Sequence, residues 1–247
     1  MHYAIIAAGE GSRLTAEGIT SPKPLVQLGE ESLIDRLVRI FANNHATAIY
    51  VISHTRSATL TRHLEQLSVQ TMRRYDIPLQ YVLADTMSSM HSLAVLVENT
   101  PCGSEPFCLT TVDTVFNETV FPQFIHTFID GLEHHQCEGL MGTTTLIDDE
   151  KPLYVETDEQ GNILGFIDHS TSCITISAGV YALTNKAVPI LHKCIAAGQS
   201  RMRNFQRALI ENGLQLKAFD MGKVIDIDHR EDIEKAKLLL MEQHDIA

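Results

Sequence analysis

The sequence predicts an α/β fold with a central sheet that is mixed but mostly parallel. Two observations support this prediction. Short apolar segments alternate with segments of helical periodicity as far as Val112, and the first apolar segment, His2–Ala8, shows no polar–apolar alternation. Strands that helices cover on both faces have this continuous apolar character. Strand–helix–strand units of this length join parallel strands through right-handed crossovers.

The N-terminal part supplies the regular strand–helix alternation. Its apolar, β-branched runs predict strands, and apolar residues spaced three and four apart predict helices. Between the first strand and the first helix, the segment Gly9–Pro24 is rich in Gly, Ser, Thr and Pro and predicts a long loop. The predicted strands are His2–Ala8, Ala46–Ser53, Leu79–Leu83 and Phe107–Val112, and the predicted helices are Ser32–Asn43, Ala58–Leu67 and Met90–Glu98.

After Asp113 the order of elements becomes less regular. The turn-forming segment Asp158–Asn162 between two strand-like runs predicts a hairpin. No linker or low-complexity segment interrupts the chain, so a single domain over 1–247 is expected, with halves of about 1–115 and 116–247. The predicted helices are Thr119–His135, Ala187–Ala197, Met202–Asn212 and Glu231–Gln243, and the predicted strands are Gly139–Ile147, Tyr154–Thr157, Ile163–Ile167, Ile174–Leu183, Leu216–Phe219 and Val224–Ile227.

Composition narrows the classes of partner. A formal net charge of −12 argues against a general nucleic-acid-binding protein, although one local basic cluster can still bind a small phosphorylated ligand. The five cysteines show no metal-binding spacing and are expected to be reduced. The apolar runs are too short to span a bilayer and no leader is visible, so a cytoplasmic protein without membrane contact is expected.

The most informative stretch is Ala7–Leu14, with the sequence AAGEGSRL, at the end of the first predicted strand. A strand that runs into a glycine-rich turn directs several backbone N–H groups at one concavity, where they can bind phosphate oxygens. Gly9 and Gly11 alone would also suit an ordinary tight turn. The stretch is neither a Walker A motif nor a complete dinucleotide fingerprint.

Two cations on the same loop strengthen the phosphate-binding interpretation. Arg13 follows the glycines, and Lys23 lies between Pro22 and Pro24. The two prolines restrict the backbone on either side of the lysine. A rigidly presented cation suits phosphoryl transfer, where positioning and electrostatics supply most of the catalysis.

The runs Ala7–Leu14 and Ser21–Leu25 (SPKPL) together resemble the signature of the sugar-nucleotide pyrophosphorylases, within the nucleotidyltransferase superfamily. The resemblance implies a Rossmann-like, GT-A-type three-layer fold, in which the N-terminal half binds a nucleoside triphosphate (NTP) and the C-terminal half binds the acceptor. It also implies that Arg13 and Lys23 are catalytic, stabilising charge at the α-phosphate and pyrophosphate. The nucleotide-binding residues that it implies in this loop are Ala7, Ala8, Gly9, Gly11, Ser12 and Arg13.

The resemblance extends to carboxylates that would hold Mg²⁺, the expected cofactor. Asp113 ends an apolar strand, as a metal-binding aspartate does in the family, and the segment Val224–Asp228 resembles the family's closing Asp-Ile-Asp segment. Mg²⁺ takes one or two carboxylates and keeps several waters, which suits Asp113 with Asp226. Asp228 is the alternative second ligand. A strand-end turn for Asp113 and a helix N-cap for Asp228 are the structural alternatives.

The segment Ser88–Leu93 falls where many relatives carry Gly-Thr-Ala-His-Ser-Leu, which contacts the nucleobase. Ser88 and Ser89 are therefore candidates for base contact, with a helix N-cap as the alternative for either. Ser88 replaces the family's glycine, and this departure leaves the identity of the base open.

Acceptor-binding residues are implied less directly. The segment Ser177–Tyr181 resembles a family strand whose glycine admits the acceptor close to the backbone. The Glu-Lys-Pro segment that binds the sugar phosphate in many relatives is replaced by Phe166–His169. The acceptor-binding candidates are Tyr154, Glu156, Ala178 and Gly179, and cations that could neutralise the acceptor phosphate, or simply lie at the surface, are Arg201, Arg203 and Lys223.

The expected function is transfer of a nucleoside monophosphate from an NTP to a phosphorylated small molecule, with release of pyrophosphate. A sugar 1-phosphate is the first choice of acceptor. One alternative is a cytidylyltransferase for phosphocholine or another alcohol phosphate, and another is a non-catalytic nucleotide-binding regulatory protein. A GT-A glycosyltransferase is disfavoured because Asp113–Val115 is not an Asp-x-Asp motif. Homo-oligomerisation is left open.

Overall fold

The structure, a computed structural model, describes residues 1–146 and 151–244. The predicted strand residue Ile147 lies outside the described residues. The strands are β1 (His2–Ala7), β2 (Gln27–Leu28), β3 (Glu31–Ser32), β4 (Ala48–Ser53), β5 (Leu79–Leu83), β6 (Phe107–Thr111), β7 (Thr114–Phe116), β8 (Gly139–Thr144), β9 (Tyr154–Thr157), β10 (Ile163–Ile167), β11 (Ile176–Leu183), β12 (Leu216–Asp220) and β13 (Val224–Asp226). The helices are α1 (Ser12–Ala16), α2 (Leu33–Ala42), α3 (Ala58–Tyr75), α4 (Ser89–Asn99), α5 (Phe121–Glu133), α6 (Ala187–Ala196), α7 (Met202–Glu211) and α8 (Arg230–His244), with a short 3₁₀ turn at Lys23–Leu25.

The described residues form a central sheet of nine strands. Strands β5, β4, β1 and β6 are parallel neighbours in that order. Strand β11 pairs antiparallel with β6 and with β8, and β12 lies parallel to β8. The β9–β10 pair is antiparallel and forms the predicted hairpin. Only β10 and β11 run against the other seven strands, so the predicted mixed, mostly parallel sheet is confirmed.

Two apolar cores lie on opposite faces of this sheet. Alternate residues of β1 enter different cores, since Tyr3 and Ile5 pack with α2, α3, α5 and α8, whereas Ala4 and Ile6 pack with α4, α6 and α7. Burial on both faces explains why residues 3–7 of β1 lack polar–apolar alternation. The predicted three-layer α/β arrangement is therefore confirmed.

The structure also differs from the sequence prediction in local detail. The segment predicted as a continuous loop contains α1, which begins after Gly11. Helix α3 continues eight residues beyond the predicted end at Leu67, with the buried Thr71 extending its buried stripe, and the residue that caps its C-terminus, Asp76, has φ 56°. The short strands β2, β3 and β7 lack enough residues to show a period and were not predicted.

The structure also bears on the two predicted halves of the chain, the cysteines and the helix lengths. Strands β6 and β11 pair, so residues from both predicted halves share one sheet, while the assignment of NTP and acceptor to those halves stays a prediction. The five cysteines are free thiols. Within the described residues, no helix has the length and apolar character needed to cross a bilayer.

Candidate active site

The predicted phosphate loop and the predicted metal-binding residues lie at one edge of the sheet. Gly9 follows the C-terminal end of β1, and Asp113 follows the C-terminal end of the neighbouring parallel strand β6. Open α/β sheets bind ligands outside the carboxyl ends of their strands. The topology therefore brings a glycine loop and an acidic side chain to the place where such a fold binds its ligand.

Lys23 joins these segments through two ion pairs. Its Nζ lies 2.5 Å from Asp113 Oδ2 and 2.9 Å from Asp228 Oδ1, and its side chain is only 8% exposed. Arg13 Nη1 lies 2.7 Å from the other carboxylate oxygen of Asp228. Side chains from three distant parts of the sequence thus share one cleft.

Local geometry explains how Lys23 reaches this position. The 3₁₀ turn begins at Pro22, whose carbonyl accepts a hydrogen bond from Leu25 N at 2.8 Å. Gly11 has φ 62°, and a Cβ on it would lie 3.1 Å from Lys23 Cβ. The glycine is needed both for its left-handed backbone and for the close approach of the lysine. Gly9 has nothing within 4 Å of such a built Cβ, which leaves open space beside the loop.

Strand pairing places the second predicted metal ligand. In the antiparallel pair β7–β13, Asp226 lies opposite Thr114, the residue after Asp113. Ile227 N donates a hydrogen bond to the Asp113 carbonyl at 3.0 Å, which extends the pairing by one step. Asp113 and Asp226 therefore face the same cleft although 113 positions separate them in the sequence.

The charges of this cluster shift its pKa values in different directions. Burial would lower the pKa of Lys23, but the carboxylates of Asp113 and Asp228 raise it, so the lysine stays charged. Burial would raise the pKa of Asp228, but Lys23 and Arg13 lower it. The Asp226 side chain reaches solvent within the cleft, yet enclosure by the cleft walls and the charge of Asp113 raise its pKa, despite a hydrogen bond to Thr114.

This arrangement fits a magnesium site in its donor chemistry. Asp226 has a raised pKa because its enclosure and the charge of the nearby Asp113 outweigh the hydrogen bond with Thr114 and the charge of Lys23. Both oxygens of Asp228 already contact cations, which favours Asp226 over Asp228 as the second ligand. Over 1–146 and 151–244, no group of three or more His, Cys, Asp or Glu side chains could hold a metal by itself. Two carboxylates suit Mg²⁺, whose remaining coordination positions phosphate and water would fill. Mg²⁺ as the cofactor stays a prediction.

Hydrogen bonds at the start of α8 hold Asp228 in place. Its backbone N and that of His229 donate to Asp232 Oδ2 at 3.1 and 2.7 Å. Glu17, just after α1, accepts a hydrogen bond from Arg230 N at 2.6 Å and lies 2.6 Å from His229 Nδ1. Sequence reasoning did not find Glu17 or Asp232, because their roles depend on α1 lying beside the start of α8.

The structure gives the serine candidates a structural role. Ser88 Oγ accepts a hydrogen bond from His91 N at 3.3 Å and so caps α4, while Ser89 is the first residue of that helix. A contact with a nucleobase stays a prediction for both. Ala7 is buried at the end of β1, so only its backbone can reach a ligand. Ala8 begins the loop that follows, and Ser12 is the first residue of α1.

A cavity of about 1080 Å³ opens beside the cluster and reaches the predicted acceptor strand. Ala178 lines this cavity, together with Arg13 and Asp226. Gly179 has φ 74°, and a Cβ on it would lie 3.0 Å from Thr114 Oγ1, so the glycine allows β11 to approach the end of β7.

The other acceptor candidates are dispersed. Tyr154 lines a second cavity of about 720 Å³, with Arg201 and Arg203. Glu156 is exposed on β9 and is absent from the described lining of both cavities. Lys223 pairs with Glu242 and is likewise not among those lining residues, so the structure gives no support to its suggested role at the acceptor phosphate.

Polar residues that sequence reasoning missed also lie here. Ser177 lines the larger cavity, and the buried Gln206 of α7 donates a hydrogen bond to its Oγ at 3.0 Å. Thr114 contacts both Asp226 and the Gly179 position. No local pattern distinguishes these residues, since their importance comes from contacts between β7, β11, β13 and α7.

Comparisons with known proteins show the family and the fold of this chain. The model of the MobA-like NTP transferase domain family matches residues 3–155. A mannose-1-phosphate guanylyltransferase catalytic subunit beta from Dictyostelium discoideum is 23% identical over 187 residues, covering 73% of this chain and 49% of that protein. The chain thus spans about half the length of this curated relative.

Two solved structures share the fold. One is a UDP-glucose pyrophosphorylase, with a TM-score of 0.77 and 16% identity over 98% of both chains. The other is a CTP:phosphocholine cytidylyltransferase from Streptococcus pneumoniae, with a TM-score of 0.72 and 18% identity over 97% of this chain and 98% of that one. Through the match that covers β1, the glycine loop, Lys23 and Asp113, the chain belongs to the MobA-like NTP transferase domain family.

Proposed function

We propose that the protein is a magnesium-dependent nucleotidyltransferase that transfers a nucleoside monophosphate from an NTP to a phosphorylated small molecule, with a sugar 1-phosphate as the first candidate acceptor. The observation that carries this proposal is the position of Lys23 Nζ between Asp113 and Asp228 in one cleft beside the glycine loop. Family membership and the name of the curated relative, which acts on a sugar 1-phosphate, support it.

In the proposed reaction, an oxygen of the acceptor phosphate attacks the α-phosphorus of the NTP. A new phosphoanhydride bond forms, the bond between the α-phosphorus and the bridging oxygen breaks, and pyrophosphate leaves with the bonding electron pair. The attacking oxygen is already anionic, so this step needs no general base. The main task of the site is to offset repulsion between two polyanions.

Lys23 and Arg13 are suited to that task. The Asp113 and Asp228 carboxylates keep Lys23 protonated, so it can offer positive charge where negative charge develops at the α-phosphate. Arg13 is about half-exposed beside the larger cavity and can turn from Asp228 toward the departing pyrophosphate. The amides of Gly9–Ser12 lie on the same loop and can hold further phosphate oxygens.

Asp113 and Asp226 would hold the magnesium ion, which when bound would neutralise charge on the α-phosphate and the incoming phosphate. The contribution of the chain itself is to keep these two carboxylates in one cleft through the β7–β13 pairing. Ala178 and Ser177 line the side of the cavity from which an acceptor would approach.

The direct test is a pyrophosphate-release assay with each of the four NTPs, Mg²⁺ and a panel of sugar 1-phosphates and alcohol phosphates. We expect release to depend on both substrates and on Mg²⁺. A folded protein that binds an NTP but releases no pyrophosphate with any acceptor would instead be a nucleotide-binding regulatory protein. Release only with CTP and an alcohol phosphate would identify a cytidylyltransferase.

A further inference from the structure

The second cavity adjoins the proposed catalytic cleft. Lys151 and Arg203 line both the cavity of about 1080 Å³ beside Asp226 and the cavity of about 720 Å³ that contains Tyr154. An acceptor whose phosphate lies near Asp226 could therefore extend past Arg203 into the second cavity. The side chains at its far end would then contact the part of the acceptor that does not react.

Arginines dominate that far end. Arg203 Nη1 lies 2.5 Å from Asp168 Oδ1, and Arg207 Nη2 lies 2.8 Å from Asp168 Oδ2. Backbone carbonyls also hold both guanidinium groups, because Arg203 donates to Lys151 O and Arg207 to Phe166 O, each at 2.9 Å. Their side chains are only 24% and 28% exposed. These arginines are thus held in place, unlike solvated surface arginines.

The positive charge here exceeds what Asp168 can balance. One carboxylate serves two guanidinium groups, and the adjacent arginines lower its pKa. Arg201 also lines the cavity, and over 1–146 and 151–244 it forms no ion pair with a carboxylate. Among the described lining residues, the three arginines and one aspartate give a local excess of positive charge, although the whole chain carries −12.

We propose that the second cavity binds an anionic group of the acceptor, a carboxylate or a second phosphate, that is distinct from the phosphate that reacts. This inference rests on the proposed function, because it assigns the class of acceptor for the same reaction. Guanidinium groups bind carboxylate and phosphate oxygens through paired, charge-assisted hydrogen bonds. Held arginines lose less freedom on binding than mobile ones, which favours their use in recognition.

The same charges act against a cationic acceptor such as phosphocholine. Quaternary ammonium groups are recognised by several aromatic faces, and Tyr154 is the one Phe, Tyr or Trp side chain in the described lining of this cavity. The arginines would repel a positive head group across the short distance of a cavity wall. The acceptor class proposed here therefore differs from that in the name of the similar Streptococcus pneumoniae enzyme.

Matched acceptors make the proposal testable. Glucose 1-phosphate, glucuronic acid 1-phosphate and glucose 1,6-bisphosphate differ only at the far end of one sugar, and phosphoethanolamine and phosphoserine differ only by a carboxylate. We expect kcat/KM to be about 10- to 100-fold higher for the acidic member of at least one set, the range of a charge-assisted hydrogen bond. Comparing the acceptors that carry a carboxylate with the one that carries a second phosphate shows which anion the cavity binds.

Variants then assign any preference to the arginines. Arg201→Gln removes a charge without removing an ion pair, so it is expected to fold, and it should lower the acidic-to-neutral ratio of kcat/KM by about tenfold. Arg207→Gln should lower the same ratio, with its melting temperature measured in parallel because it also loses Asp168. Arg62→Gln on the exposed face of α3 is the matched control and should not change the ratio.

The outcomes separate this proposal from the proposed function. Equal loss for acidic and neutral acceptors in Arg201→Gln would mean that the arginines bind the reacting phosphate, and it would overturn the proposal. A preference for neutral acceptors would do the same. If no acceptor yields pyrophosphate, the proposed function fails. Isothermal titration calorimetry of wild type and Arg201→Gln with the same matched compounds would then show, from binding alone, whether the second cavity prefers anionic groups.

Discussion

The two cavities differ in the sign of their uncompensated charge. Within the ion-pair cluster of the cleft, the carboxylates of Asp113, Asp226 and Asp228 outnumber the cations Arg13 and Lys23. Within the described lining of the second cavity, three arginines face one carboxylate, that of Asp168. The first region lacks a cation and fits Mg²⁺, whereas the second lacks an anion and fits an acidic group of the acceptor.

The two regions are also held differently. Backbone pairing between β7 and β13 places the acidic cluster, and Lys23 is nearly buried within it. Arg203 and Arg207 project from α7, and their positions depend on side-chain contacts with Asp168 and with backbone carbonyls. Arg201 directly precedes that helix. Substitutions in the cleft are therefore expected to change the rate of the chemical step, and substitutions in the second cavity to change which acceptor is preferred.

The largest expected effect is that of Lys23→Ala. Removing one preorganised charge donor costs about two to three orders of magnitude in kcat. Single-turnover release of pyrophosphate with saturating substrates measures this step. Lys193→Ala, on the surface of α6, is the control and should retain wild-type turnover.

A stability measurement must accompany that variant. Lys23→Ala leaves Asp113 and Asp228 without their shared partner in a partly buried cluster, so unfolding should become easier as well. If the folded variant turned over at the wild-type rate, Lys23 would have no part in the mechanism.

The next largest effects are expected from substitution of two neighbouring aspartates, Asp226 and Asp228. Asp226→Asn removes a proposed metal ligand and should raise the Mg²⁺ concentration needed for half-maximal activity by about tenfold or more. Asp228→Asn removes the partner of Arg13 and Lys23 and should change the KM for the NTP more than the Mg²⁺ requirement. Mg²⁺ titrations at saturating NTP separate the two. The reverse pattern would make Asp228 the metal ligand.

Sequence reasoning located the cleft better than the second cavity, and the reason is physical. Gly11 and Lys23 lie twelve positions apart on one loop, so a local motif contains both. Asp113 and Asp226 each end a strand, which a pattern can show, but their proximity depends on the pairing of β7, a strand too short to predict. Arg207 and Asp168 lie on different elements with no motif around either, and only the folded chain brings them together.

A smaller effect is expected for Gly11→Ala, which tests how closely Lys23 packs against the glycine loop. The alanine in Gly11→Ala must adopt a left-handed backbone conformation and displace Lys23. At Gly18, φ is 87° and nothing lies within 4 Å of an added Cβ, so Gly18→Ala bears only the cost of the left-handed conformation. That cost is about 1–2 kcal/mol. Urea unfolding should therefore show a larger loss for Gly11→Ala, and its turnover should also fall. Equal losses in both variants would mean that the approach of Lys23 adds no strain.

The smallest expected effect is a pH-dependent gain in stability for Asp226→Asn without metal. The folded-state pKa of Asp226 lies above its usual value of 3.8, so the folded protein holds this proton more tightly than the unfolded chain. Wild-type stability should then fall as the pH rises above about 4, because the folded state must ionise a carboxylate next to Asp113. Asparagine avoids that cost. In EDTA, the variant should match wild type near about pH 4 and melt a few degrees higher near about pH 8. A variant that is no more stable at the higher pH would show that Asp226 ionises without penalty, and the excess negative charge assigned to the cleft would then be wrong.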